Sequence, residues 1–170
     1  QSSPVVADGC VYIGSNDRRL YCLNALTGEE KWSYATKGFV VTRPAVSGAN
    51  VYTGSMDRRI YCLDAATGEK LWDTLTGNAI ESSPLIIDDD AVFGCNDFKI
   101  YRKGRSTWSF DTGAEVKSSP AISGYYLYVG SNDDRLYCLD ADTGSLEWDY
   151  QTGDDVLSSP AVFGDYVYVG

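Results

Sequence analysis

The chain has 170 residues, 44% of them hydrophobic and 13% aromatic, which is enough apolar material for a sizeable core and argues against disorder. Its 24 acidic and 14 basic residues leave a net charge of −10, which sets it against nucleic-acid backbones and anionic membrane surfaces. It contains no histidine, so Ser-His-Asp triads and His-ligated zinc sites are excluded.

The chain starts at Gln1 with neither Met nor a signal-peptide pattern, which reads as a mature form, an engineered form or a piece of something longer. Residues 1–40 make the first unit. Ser2-Ser3-Pro4 leads to an apolar run ending Val11-Tyr12-Ile13-Gly14, then a polar tip, Ser15-Asn16-Asp17. A second run, Leu20-Tyr21-Cys22-Leu23, ends at an Ala-x-Thr-Gly turn, Ala25 to Gly28. A last segment carries the tryptophan, Glu30-Lys31-Trp32-Ser33-Tyr34. Units 41–80 and 117–156 repeat this order, with turns closing at Gly68 and Gly144 and tryptophans at Trp72 and Trp148. The third unit, 81–116, is four residues shorter. It runs Ile100-Tyr101-Arg102-Lys103-Gly104-Arg105-Ser106-Thr107-Trp108, with the Thr-Gly turn deleted. Residues 157–170 match 1–14 position for position and begin a fifth unit.

Proline and glycine recur at spacings of 40, 40, 36 and 40 residues and tryptophan at 40, 36 and 40, and a period in this range signals a repeat architecture. The runs are short, rich in Val, Ile and Tyr, and bounded by Gly, Asn and Asp, so each unit reads as four antiparallel strands. The two middle strands are apolar on both faces and so must be covered on both sides. Neighbouring blades of a β-propeller provide that cover. The expected fold is all-β: four full blades plus the first two strands of a fifth. Missing Gly-His pairs set the blades apart from WD repeats, and kelch repeats are longer.

The segment Leu136-Tyr137-Cys138-Leu139-Asp140-Ala141-Asp142-Thr143-Gly144-Ser145-Leu146-Glu147-Trp148 resembles the docking motif of PQQ-like, quinoprotein-type β-propeller repeats. Leu20 to Trp32 and Ile60 to Trp72 carry it equally well. The repeat is also similar to that of the propeller lipoprotein of outer-membrane barrel assembly and of archaeal and bacterial surface proteins. The resemblance implies a ring of seven or eight blades, of which this chain is a part, and a location outside the cytoplasm. It also implies that Trp32, Trp72, Trp108 and Trp148 dock blade to blade against turns closed by Gly28, Gly68 and Gly144. Trp72→Ala is then expected to cost about 3–5 kcal/mol. The shortened third unit puts one docking partner in doubt.

The expected role is non-catalytic binding or scaffolding with a protein partner, in envelope or cell-surface assembly or sensing. Catalytic, metal and cofactor residues are expected to be none, with no nucleic acid and no membrane insertion. Alcohol-oxidising quinoproteins carry a vicinal cysteine pair, which this chain lacks. The alternative is a piece of a PQQ-dependent alcohol or sugar dehydrogenase whose catalytic residues lie elsewhere. Open blade edges offer a route to self-association.

Individual residues carry further expectations. Cys22, Cys62 and Cys138 read as small buried thiols, and Cys10 and Cys95, which break the pattern, as the more reactive ones. Asp17, Asp57, Asp97 and Asp133 read as turn-forming residues and Asp88-Asp89-Asp90 as a solvated turn. Arg18-Arg19, Arg58-Arg59, Lys99 and Arg135 read as a basic face compensated by the preceding aspartates, with a docking surface for an acidic partner as the alternative. Arg43, Glu81 and Lys117 break the repeat near the central channel and are the candidate ligand or partner site.

Overall fold

The computed structural model describes residues 2–170. Blade 1 consists of β1 (Val5–Ala7), β2 (Cys10–Gly14), β3 (Arg19–Asn24) and β4 (Glu30–Ala35). Blade 2 follows with β5 (Ala45–Ser47), β6 (Asn50–Ser55), β7 (Arg59–Asp64) and β8 (Lys70–Leu75). Blade 3 holds β9 (Leu85–Ile87), β10 (Asp90–Cys95), β11 (Lys99–Lys103) and β12 (Trp108–Asp111). Blade 4 holds β13 (Ala121–Ser123), β14 (Tyr126–Ser131), β15 (Arg135–Asp140) and β16 (Leu146–Gln151). The fifth unit contributes the pair β17 (Ala161–Phe163) and β18 (Tyr166–Tyr168). Each blade is an antiparallel meander in chain order.

The meander sorts the loops onto two faces. The tips between second and third strands lie with the loops that lead to the next blade, as Thr36 N donating to Arg18 O at 2.8 Å records. The hairpins between first and second strands lie with the turns between third and fourth, as Ala25 N donating to Gly9 O at 2.9 Å records. The former is called the tip face, the latter the turn face.

The core lies between blades rather than within one. Cys10, Tyr12, Leu20 and Cys22 of blade 1 pack on Val51, Tyr61, Leu63 and Ala65 of blade 2. Tyr52, Ile60 and Cys62 pack in turn on Ile80, Ala91, Phe93 and Cys95. Val92 and Ile100 pack on Leu127, Val129, Tyr137 and Leu139. This is the physical reason the middle strands are apolar on both faces: each face meets a different neighbour. The innermost strands are stitched by serines at the residue before proline. Arg43 N donates to Ser83 Oγ at 2.9 Å, Ser83 N to Ser119 Oγ at 2.9 Å, and Ser119 N to Ser159 Oγ at 3.0 Å.

Blade 3 differs in its register. In the other three blades the ladder slips by one residue just before the turn, between Cys22 and Leu23, Cys62 and Leu63, and Cys138 and Leu139. Blade 3 runs from Lys99↔Asp111 to Arg102↔Trp108 without that bulge. Deleting the turn removed the bulge with it, and a tight reversal at Lys103-Gly104-Arg105 replaces both.

Candidate functional site

Two junctions share one locking geometry. Asp64 Oδ1 accepts the amides of Ala66 and Thr67 at 2.9 and 2.8 Å, so the turn after β7 is held by its own carboxylate. Asp140 does the same for Asp142 and Thr143 at 3.0 and 2.7 Å. These amide donors hold both carboxyls below the usual carboxylate range. Onto these turns the preceding blade lays its tryptophan. Trp32 Nε1 donates to Ala65 O at 3.1 Å, and Trp108 Nε1 to Ala141 O at 3.1 Å. Gly68 (φ 74°) and Gly144 (φ 73°) lie flat against the indoles, where a Cβ would come within 2.6 Å of ring carbons. Left-handed backbone and close approach together require glycine there.

The junction between blades 2 and 3 has no such turn. Trp72 Nε1 finds no acceptor among the described residues, and its ring stands edge-on to Tyr52 at 6.1 Å. In front of it lies a cavity of about 550 Å³, lined by Asn50, Tyr52, Trp72, Asp89, Lys103 and Arg105 among others. The docking expected of Trp72 is therefore only partly made, because the segment that would receive it is deleted. Trp148 is 43% exposed, and the Gly28 turn meets no neighbour.

Asp90 corrects the expectation of a solvated Asp88–Asp90 turn. It is buried and accepts Arg102 Nε at 2.9 Å. It also accepts the amides of Arg105 and Ser106, at 2.6 and 3.1 Å. One carboxylate thus caps the tight reversal that replaces the lost turn. Gly104 (φ 153°) is required because a Cβ would lie 2.0 Å from Asp90 Oδ1. Arg102 stands where other blades have cysteine. Its Nη1 donates to Ala141 O at 3.0 Å and to Asp142 Oδ1 at 3.2 Å.

The tip aspartates also do more than turn the chain. Asp57 Oδ2 accepts Lys37 N at 2.7 Å, Asp97 Oδ2 accepts Gly77 N at 2.7 Å, and Asp133 Oδ2 accepts Gly113 N at 2.5 Å. Each donor sits on the loop leaving the preceding blade, so these carboxylates are latches between blades. The same oxygens accept the hydroxyls of Tyr61, Tyr101 and Tyr137. The basic residues beside them pair with the fourth strand, not with these aspartates: Arg59 with Asp73, Lys99 with Asp111, Arg135 with Asp149.

The three candidate site residues find different partners. Lys117 Nζ pairs with Glu115 at 2.8 Å, and its pKa is raised by that partner, with Glu81 contributing through space. Glu81 accepts Asn96 Nδ2 at 2.6 Å. Arg43 is exposed, makes no ion pair among the described residues, and lines a channel-side cavity of about 330 Å³ with Ser83 and Ser119. All five cysteines are free and buried. Cys95, expected among the more reactive thiols, is fully buried, and burial pushes its pKa up to about 11. At Cys10, Lys31 Nζ donates at 3.0 Å and lowers the thiol's pKa. Asp134, Asp154 and Asp155 bring carboxylate oxygens within 4.8 Å of one another on the tip face, with Asp134 half-buried and the other two exposed.

Sequence reasoning placed Phe39 on a channel-side loop but did not single out Met56 and Phe98 on the tip face. Phe39 is 43% exposed, Met56 40% and Phe98 48%. Met56 N donates to Phe39 O at 2.9 Å, so two of them adjoin. Exposed Lys37, Arg18 and Arg58 lie on the same face. The available signal was in the repeat: Met56 stands where other tips carry Asn16, Asn96 and Asn132.

The family model described as outer membrane protein assembly factor BamB matches residues 1–101 and again 99–170. Among solved structures, BamB from Moraxella catarrhalis is similar, with 21% identity and a TM-score of 0.85 over 98% of this chain and 53% of that one. A computationally designed protein, Ika8, is similar at 20% identity and a TM-score of 0.86, over 98% of this chain and 54% of that one. At these identities the likeness is one of fold. The chain spans about half the length of the solved structures it matches. No curated protein matches it in sequence.

Proposed function

The chain belongs to the PQQ-like propeller family described as outer membrane protein assembly factor BamB, and we propose that it is a non-catalytic scaffold that binds a protein partner through its tip face. The observation that carries this reading is the exposure of Phe39, Met56 and Phe98 beside Lys37, Arg18 and Arg58. The framework positions repeat from blade to blade, while Phe39, Met56 and Phe98 interrupt the repeat on the tip face. Apolar anchors with a charged rim are how protein interfaces are built. On an acidic chain, the basic rim selects a partner with an acidic patch around an apolar centre. Arg43, Glu81 and Lys117 lie on or beside the loops of this face and are its proposed polar border. The setting is envelope or cell-surface assembly, or sensing, outside the cytoplasm; it rests on the family.

The test is site-specific photocrosslinking from Met56 in the cells that make the protein. A discrete adduct with one envelope protein is expected, weakened about tenfold or more by Phe39→Ser. A quinone titration on the full-length protein serves as the counter-measurement. No adduct, together with saturable quinone absorbance, overturns the scaffold reading.

A further inference from the structure

We propose that the junction between blades 2 and 3 is a docking slot for an acidic turn of a partner polypeptide, received on the turn face by Trp72, Lys103 and Arg105. The slot is on the opposite face from the surface described above and does not depend on it.

Blades 1–2 and 3–4 identify the occupant. In each, the indole of one blade is covered by a turn of the next. A carbonyl takes the indole N–H and a glycine lies on the ring. That turn is led by an aspartate, Asp64 or Asp140, whose carboxylate caps it. Between blades 2 and 3 the receiving half is still present. Trp72 faces the gap with no acceptor for its N–H, in a cavity of about 550 Å³, within the size range of ligand pockets. The supplying half is absent, because the four deleted residues are the turn itself. The slot therefore has the shape and the hydrogen-bond donor for a turn that this chain does not provide.

The charges at the rim specify an acidic turn. Lys103 and Arg105 both line the cavity, at positions created by the tight reversal. Neither forms an ion pair among the described residues, whereas Arg102 next to them is fully engaged with Asp90. The Lys103 ammonium lies 5.0 Å from the Tyr101 ring centroid, and burial lowers its pKa, so an anion beside it offsets desolvation. Asp89 also lines the cavity; its Oδ1 accepts the Ser47 hydroxyl at 3.3 Å, which leaves Oδ2 for an amide of an incoming turn. Tyr52 OH already donates to Asp89 O at 2.9 Å, as Tyr12 OH donates to Ala65 O at 3.0 Å one junction earlier. The tyrosine found a substitute acceptor after the deletion, and the tryptophan did not.

The test is a titration of the whole chain with a capped hexapeptide copying residues 64–69, read by the indole N–H resonances in 15N NMR. A saturable shift is expected at Trp72, with Trp32 and Trp108 unmoved. Lys103→Glu combined with Arg105→Glu is expected to weaken binding at least tenfold, as loss of charge-assisted contacts does. Trp72→Phe keeps an aromatic ring but removes the indole N–H, and binding, followed in this variant by the backbone amide resonances of Lys103 and Arg105, is expected to weaken about fivefold to tenfold. A second variant guards against misfolding: replacing Lys103-Gly104-Arg105 by the blade 2 turn should fill the slot and abolish binding while the fold is kept. An absent response at Trp72, an equal response at Trp148, which lacks the two cations, or the same response to acetate alone each overturns the proposal.

Discussion

The junction between blades 1 and 2 and the one between blades 2 and 3 are built from the same parts up to the last hairpin. Both place a tyrosine and a tryptophan from one blade against the apolar face of the next. In the first, both side chains share the carbonyl of Ala65. In the second, a four-residue deletion removes that carbonyl. Tyr52 turns to Asp89, Trp72 faces a cavity, and a buried carboxylate holds the shortened loop. Blade packing is therefore modular: the apolar interface survives loss of the lock, and the repair is made with polar groups. A repeat protein tolerates this because each blade answers mainly to its nearest neighbours.

Three pairs of substitutions would break or sharpen this contrast. The largest effect is expected at Asp90. Asp90→Ala leaves Arg102 buried without its main partner and uncaps the reversal, at a cost of about 3–5 kcal/mol in denaturant melts. Asn50→Ala, at the matching position of blade 2, should cost about 1 kcal/mol or less. Equal losses at the two positions would mean the pair does not hold the shortened loop. Next come the tryptophans. Trp32→Ala is expected to cost about 3 kcal/mol or more. Trp72→Ala should cost about 1 kcal/mol less than that, because no hydrogen bond is lost. This lowers the 3–5 kcal/mol expected of Trp72 from the repeat alone. Matching melts for the two variants would show that the turn adds nothing to the docking. The smallest contrast pairs two glycines of nearly the same backbone. Gly28→Ala carries only left-handed strain, about 1 kcal/mol. Gly68→Ala adds the overlap with the Trp32 ring and should cost about 1–3 kcal/mol more. The same cost at both sites would place the effect in the backbone and not in the indole contact.

Much of the architecture was legible because it is written at short range and repeated. Pro44, Pro84 and Pro120 mark where innermost strands begin, and Gly28, Gly68 and Gly144 take the positive φ that their turns require. The alternation in Val11-Tyr12-Ile13 points to two covered faces, and only stacking of like sheets supplies them. The sites were less legible. Asp57, Asp97 and Asp133 look like turn formers because the amides they capture, on Lys37, Gly77 and Gly113, lie 20 residues away on another blade. Glu81 and Lys117 depart from the repeat at one equivalent position and Arg43 two residues further along its own unit, yet each finds a different local environment. Phe39 and Met56 are unremarkable apolar residues until a backbone hydrogen bond sets them side by side on one face.

Sequence by itself determined the blade count in the chain, the strand order, the four-residue deletion and the absence of histidine chemistry. These follow from periodicity and composition, which need no knowledge of distant contacts. Tertiary structure alone decided what fills each junction. It joined Asp90 to Arg102 across a strand pair and Arg102 to the next blade's Ala141, and it left Trp72 facing a cavity. The physical reason is that a buried charge or an uncovered indole is defined by what packs against it. In a propeller, that neighbour comes from the next blade, some 40 residues along the chain.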